Sequence, residues 1–594
     1  MKAANKNALW AQTFVDELAR QGVEAVCIAP GSRSTPLVFA FAQTENIKVY
    51  SHLDERSAAY FALGMSRASG KPVALVCTSG TAAANFFPAV IEANYSEVPL
   101  LVLTADRPAE LRESGANQTI DQIKLYGDHV RWFTDVAPPE AQPAANMLRY
   151  LRTLAARAVA TSQGVLPGPV HLNFPFRKPL EPTPVDGDFS PDLDQLNGSD
   201  FDKPFVSFEC SELSPRDQQV TALTETIQKS RRGLIICGPR CPAGGFPQVV
   251  TELAKVTGFP VLADALSGLR FGSHVSGAQN LILGGYESYL GNQYFHELDD
   301  PELVLHFGDV LTSKQLNDYL GRQTGMQRVQ VSSSGRWRDD TFQTTDFMHV
   351  DPSLLCQRLV TALDFGELSE WTGFYQAAEA ATWKTLEEWR NKPDFEARTL
   401  LDVVEASPDK ATLYVASSLP VRHLDQFVRP NEKKLRVFAN RGASGIDGTV
   451  SSALGAAAAS DGPTVLVSGD LAFYHDMNGL LATKRNNIPM TFVVINNDGG
   501  GIFHRLPVAE FEPEFTNLFL TPHGLRFEHA AAMYGLDYTL LEKGTELQRQ
   551  VQQSIANQKG SIIEVLSDSA AYEKERRAFT AAVQEKLQIK QASS

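Results

Sequence analysis

The chain has 594 residues, 43% of them hydrophobic and 21% charged, and a formal net charge of −15. That length favours three or more domains, and that balance favours globular cores over disorder. An acidic chain makes nucleic acid and anionic membranes poor partners, yet it leaves room for a local arginine pocket around a small anion.

Residues 1–14 lack the apolar core of a signal peptide. No run of about 18 apolar residues marks a membrane span. Six cysteines (Cys27, Cys77, Cys210, Cys237, Cys241 and Cys356) are too few for a disulfide framework in a chain this long. Cys237 and Cys241 lie four apart with no second Cys/His pair nearby, which favours buried thiols over zinc. The expectation is a cytoplasmic protein.

In chain order, Leu9, Trp10, Phe14, Val15 and Leu18 have helical spacing, and residues 23–29 read as a buried strand closed by Pro30-Gly31. Further strands fit 47–50, 73–77, 100–104 and 169–173, with helices between. Residues 179–215, rich in Pro, Asp and Ser, read as a linker. A second block has strands at 233–237, 303–307 and 329–332; a third has them at 412–416, 435–439, 464–468, 490–495 and 561–566. Strands alternating with helices predict an α/β protein of three domains, 1–185, 205–365 and 390–594, each with a mainly parallel sheet flanked by helices.

The third block holds the strongest chemical signal. A strand ends at Gly469-Asp470, a helix over about 476–484 follows, and the next strand runs into Asn496-Asn497-Asp498-Gly499-Gly500-Gly501. Right-handed crossover puts both strand ends on one sheet edge, where ligands of open α/β sheets bind. Asp470 and Asn497, 27 positions apart, then offer a carboxylate and an amide oxygen, and Gly499 a carbonyl. Magnesium takes about six oxygens and commonly shares them with phosphate. The glycines are expected to bring backbone N–H groups close to that phosphate. Alone, Gly-Asp is a common turn and Gly-Gly-Gly a common loop. At this spacing they resemble the thiamine diphosphate motif, with Leu471 in place of its usual last glycine.

That cofactor supplies its own carbanion chemistry. The cofactor class needs a glutamate hydrogen-bonded to the aminopyrimidine ring, in a different domain from the diphosphate anchor. Glu55, at the start of a helix after strand 47–50, fits. Its other reading is a partner of the helix dipole, and Asp54 is expected to cap the helix.

The motifs APGSRSTP (29–36), HLDER (52–56), TADRP (104–108), GANQ (115–118), NRGASGIDG (440–448) and SGDLAFYHD (468–476) are more specific. With them the whole chain resembles the 2-succinyl-5-enolpyruvyl-6-hydroxy-3-cyclohexene-1-carboxylate synthases of menaquinone biosynthesis. The resemblance implies a transferase that uses thiamine diphosphate and Mg2+, with Mn2+ able to substitute. It implies decarboxylation of 2-oxoglutarate and conjugate addition of the succinyl carbanion equivalent to isochorismate, by a homodimer or dimer of dimers. By motif match, Arg33, Ser32, Arg107, Gln118, Ser418, Arg422 and Arg441 resemble substrate contacts, with Lys314 as a middle-domain cation and Phe503 as an apolar wall. Ile446 resembles the residue that holds the cofactor bent. Glu55, Asp470, Leu471, Asn497, Gly499, Gly500, Gly501 and Ile502 are implied cofactor contacts, and Asp470, Asn497 and Gly499 implied metal ligands. Both substrates are dicarboxylates, which suits bidentate arginine. The alternatives are another thiamine diphosphate decarboxylase or carboligase, a dinucleotide oxidoreductase, disfavoured because no GxGxxG follows a strand, and an inactive binding protein.

Overall fold

Long apolar runs bounded by turns fold into three parallel six-stranded sheets. This is a computed structural model, and it describes residues 3–188, 203–293, 295, 298–542 and 544–591. The first sheet comprises β1 (Ala25–Ile28), β2 (Lys48–Ser51), β3 (Val73–Cys77), β4 (Leu100–Asp106), β5 (Trp132–Asp135) and β6 (Pro169–Pro175), in the order 2-1-3-4-6-5. The second comprises β7 (Gly233–Cys237), β8 (Val261–Ala263), β9 (Ile282–Leu283), β10 (Leu303–Phe307), β11 (Gln327–Ser332) and β12 (Asp346–His349), in the order 12-11-10-7-8-9. The third comprises β13 (Thr412–Val415), β14 (Arg436–Phe438), β15 (Thr464–Gly469), β16 (Thr491–Asn496), β17 (Asp537–Leu541) and β18 (Ser561–Leu566), in the order 14-13-15-16-18-17. Central strands such as β3, β4 and β16 are buried throughout, as expected when helices cover both faces of a parallel sheet.

Five strands escape the sequence reading: β5, β8, β9, β12 and β17. Four are sheet edges, and β8 and β9 have only three and two residues. The edge strands WFTD, DFMH and DYTLL are partly exposed, so no continuous apolar run announces them. The linker expected at 179–215 falls partly on 189–202, outside the described residues; 203–215 carry no helix or strand. The six cysteines are free thiols, four of them buried. Among the described residues, no helix is long and apolar enough to cross a membrane.

The chain packs as two compact units. One contains residues 1–210, 440–461 and 474–488; the other contains 211–439, 462–473 and 489–594. In the first unit, the helix Glu55–Ser69 lies against the helix Thr449–Ala458 at backbone contact distance. A Cβ on Gly64 would overlap the Ser452 carbonyl, and one on Gly455 the Phe61 carbonyl. Only glycine permits that approach. The first helix opens as the sequence suggests: Asp54 caps it by accepting the Ser57 N–H at 3.1 Å, and Gly70 closes it with φ 71°. Glu55 is thereby fixed as its first residue.

Candidate functional site

In the first unit the candidate substrate residues gather around the turn that follows β3. The Arg33 backbone N–H donates to Thr78 Oγ1 at 3.2 Å, and its buried guanidinium donates to the Phe176 carbonyl at 2.8 Å. Arg107, just past β4, hydrogen-bonds the Ser79 hydroxyl. Gln118 donates from Nε2 to the Ser79 carbonyl at 3.1 Å. Ser32 is exposed in the turn that carries Arg33. Burial, reinforced by Arg107, pulls the Arg33 guanidinium below its ordinary value. Two cations in one part-buried place favour an arriving carboxylate, whose charge offsets that cost. Asp106 is committed elsewhere, accepting Arg112 Nε at 3.1 Å, Asn173 Nδ2 at 2.9 Å and the Arg107 N–H at 2.7 Å.

Arg441 and Ile446 lie half-buried in the 440–448 loop of the same unit. The loop's far end is tied to Glu55's helix, because Tyr60 donates to Asp447 Oδ2 at 2.6 Å.

In the second unit, β15 ends directly at Asp470, which starts a short helix (Asp470–His475). The helix expected over about 476–484 is present beyond it in the chain, as a 3-10 turn (Met477–Leu480) running into the helix Leu481–Arg485; the short helix at Asp470 is additional. Asp470 is 2% exposed, and its Oδ2 accepts the Gly499 N–H at 2.9 Å, so the two strand ends are physically joined. Burial pushes its carboxyl above the ordinary range, against the N–H bonds and His523, whose Nε2 lies 3.2 Å away. Asn497 donates its Nδ2 to Glu396 Oε2 at 3.1 Å, so its amide nitrogen is committed and its amide oxygen is the atom that could meet an ion. Glu396 is wholly buried and raised by that burial, and its Oε1 has no hydrogen-bond partner.

The glycine run does something other than expected. Its three N–H groups all bond to protein: Gly499 to Asp470, Gly500 to the Leu520 carbonyl at 2.7 Å and Gly501 to the Gly499 carbonyl at 2.9 Å. Gly499 has φ 133°, and a Cβ there would overlap the Leu520 carbonyl. The glycines therefore let the 520–521 backbone cross over the strand end. Phe503 follows in a turn and meets Phe519 edge to face at 5.6 Å; Leu471 and Ile502 are half-buried beside these ligands in sequence.

Among the described residues no group of three or more His, Cys, Asp or Glu could cage a metal. One carboxylate and one amide oxygen fit a hard divalent ion whose other positions are filled by phosphate and water. That is the donor set a diphosphate cofactor with its ion requires.

Residues 10–125 match the model of the thiamine pyrophosphate enzyme N-terminal TPP binding domain, 201–415 that of the middle domain of thiamine pyrophosphate enzymes, and 421–565 that of the C-terminal TPP binding domain. A 2-succinyl-5-enolpyruvyl-6-hydroxy-3-cyclohexene-1-carboxylate synthase of Roseiflexus sp. (strain RS-1) is 49% identical over 96% of both chains. One from Haloarcula marismortui is 47% identical over 99% of this chain and all of its own. The chain belongs to this synthase family. A crystal structure of benzoylformate decarboxylase from Polynucleobacter necessarius shares the fold alone, with a TM-score of 0.69 at 17% identity, covering 96% of this chain and 99% of that one. The chain is thus a thiamine diphosphate enzyme.

Three expected residues lie in the second unit. Lys314 is largely exposed at the start of the helix Lys314–Arg322 and pairs with Asp318. Arg422 turns back to donate to the Ser418 carbonyl at 2.6 Å. Ser418 itself has φ 76°, a strained value for a non-glycine residue and one that clusters at functional sites. Thr78, Ser79, Glu396 and His523 are absent from the sequence reading. Thr78 and Ser79 follow an evident strand and could have been found from it; Glu396 and His523 lie in loops with no motif.

Proposed function

We propose that this chain is a thiamine-diphosphate- and Mg2+-dependent carboligase, with Mn2+ able to replace Mg2+. It decarboxylates 2-oxoglutarate and adds the succinyl carbanion equivalent to isochorismate, giving 2-succinyl-5-enolpyruvyl-6-hydroxy-3-cyclohexene-1-carboxylate and CO2 for menaquinone biosynthesis in the cytoplasm. The near-full-length identity to synthases of that name carries this reading over another 2-oxoacid carboligase. The arginines around the 78–80 turn supply the chemistry that dicarboxylates need.

The cofactor, when bound, supplies the electron sink for decarboxylation and carbon–carbon bond formation. Asp470, Asn497 and the Gly499 carbonyl hold its ion, with Leu471, Gly500, Gly501 and Ile502 lining the diphosphate end. Ile446 would give the cofactor apolar support. Glu55 would hydrogen-bond a nitrogen of the aminopyrimidine ring and hold or release a proton at its own carboxylate. Arg33, Arg107, Arg422, Arg441 and Lys314 receive substrate carboxylates. Ser32, Gln118 and Ser418 add hydrogen bonds, and Phe503 excludes water. The domains 1–185, 205–365 and 390–594 bind pyrimidine, form the middle layer and bind diphosphate. Glu55 and Asp470 serve one cofactor from two copies of the chain, in a homodimer or a dimer of dimers.

The test is a product assay. With 2-oxoglutarate and isochorismate the enzyme should release CO2 and form the ring adduct in equal amounts. Turnover of 2-oxoglutarate that ignores isochorismate, or preference for pyruvate, would favour the general carboligase.

A further inference from the structure

We propose that Glu92 is a positioning residue that fixes where Arg441 points. Glu92 lies on the helix Phe87–Ser96 of the first unit, far from every motif, and is 2% exposed. Its carboxylate accepts two successive backbone N–H groups of the 440–448 loop, Gly442 through Oε1 at 2.9 Å and Ala443 through Oε2 at 2.7 Å. These are the residues immediately after Arg441. Arg67 extends the anchor: its Nη2 donates to Glu92 Oε1 at 3.0 Å, and its Nη1 to Asn440 Oδ1 at 3.0 Å on the other side of Arg441. The Ser96 hydroxyl lies 2.6 Å from Glu92 Oε1, and Asn440 Nδ2 donates to Ser452 Oγ at 3.1 Å.

The chain is thus held on both sides of Arg441, through the backbone N–H groups of Gly442 and Ala443 on one side and the Asn440 side chain on the other, by one buried carboxylate and its arginine. The Gly442 and Ala443 N–H groups and Arg67 donate to both oxygens of that carboxylate, a pattern that an acceptor with two oxygens satisfies. A substrate arginine is useful only where its fork meets the carboxylate squarely, and small displacements are costly. The opposite end of the loop has its own tie, Tyr60 to Asp447, beside Ile446. The two ends therefore separate substrate alignment from cofactor support.

This inference rests on Arg441 being a substrate contact, and the test separates the two. Kinetics would be measured for Glu92→Gln, Glu92→Asp, Arg441→Ala and the double variant Glu92→Gln/Arg441→Ala, with cofactor affinity from calorimetry. Arg441→Ala should raise KM for one of the two substrates. Glu92→Gln should raise the same KM by about tenfold to a hundredfold, with kcat within about threefold and cofactor affinity unchanged. The double variant should be no worse than Arg441→Ala alone, and Glu92→Asp should recover part of the loss. Effects that multiply in the double variant would overturn the role of Glu92. A neutral Arg441→Ala would instead remove the reading of Arg441 beneath it. If Glu92→Gln does not fold, Ser96→Ala loosens the same carboxylate more gently. It should raise that KM by about threefold, and an unchanged KM would overturn the proposal.

Discussion

The first and third sheets are wired alike, 2-1-3-4-6-5 in each, yet their carboxyl edges carry opposite chemistry. The edge of the first presents Arg33 after β1, Ser79 after β3 and Arg107 after β4, with Glu55 opening the helix after β2. The edge of the third presents Asp470 after β15 and Asn497 after β16, tied together through Gly499. In the proposed function, one edge receives carboxylates and assists a proton, and the other supplies oxygen to an ion. The middle sheet, in the order 12-11-10-7-8-9, repeats neither. The same topology therefore fixes where a ligand binds, while a handful of loop residues decide what it is.

Substitutions at the two edges should fail in different ways. Asp470→Ala should have the largest effect, abolishing activity at ordinary cofactor levels, because one of two side-chain ligands is gone. Excess thiamine diphosphate and Mg2+ should restore part of it, and unchanged cofactor affinity by calorimetry would remove Asp470 from the ion. Glu55→Gln should bind cofactor normally yet slow exchange of the C2 proton by about 10²–10⁴-fold. Near-wild-type exchange by NMR in deuterated water would count against Glu55. Arg441→Lys and Arg422→Lys keep the charge but lose the fork, so kcat/KM should fall by about tenfold or more. Kinetics within about twofold of wild type would return both to ordinary surface roles.

The smallest effect concerns stability. Burial pushes Asp476 up to about 6, against hydrogen bonds from the Ser451 N–H at 2.6 Å and hydroxyl at 3.0 Å. Its folded value lies above the unfolded one, so its contribution is full below about pH 4 and is lost as pH rises through about 6. The loss amounts to about 3 kcal/mol at most. Between pH 4 and 7 the wild type should lose thermal stability relative to Asp476→Asn; parallel profiles would contradict this.

Much of this was legible in the sequence because buried parallel strands are continuous apolar runs and their ends carry the chemistry. β3, β7, β10 and β18 were read to the residue for that reason. Edge strands such as DYTLL, half-polar and part-exposed, give no such signal. Asp54 as the helix cap was legible from local chemistry alone. Glu92 and Glu396 were not, since each acts across 350 and 101 positions of chain on a backbone or an amide that only the fold brings near. The glycine run was legible as a site and misread in detail: its N–H groups are held by the protein, because a crossing strand of backbone needs the space.

The proposed division of one cofactor between two like-wired sheets is tested most directly by mixing Glu55→Gln chains with Asp470→Ala chains under conditions that exchange subunits. If each cofactor is held by Glu55 of one copy and Asp470 of another, every mixed dimer has one doubly damaged site and one intact site. Random exchange then restores activity to about a quarter of all sites. Demonstrated exchange with no recovered activity would contradict the shared site.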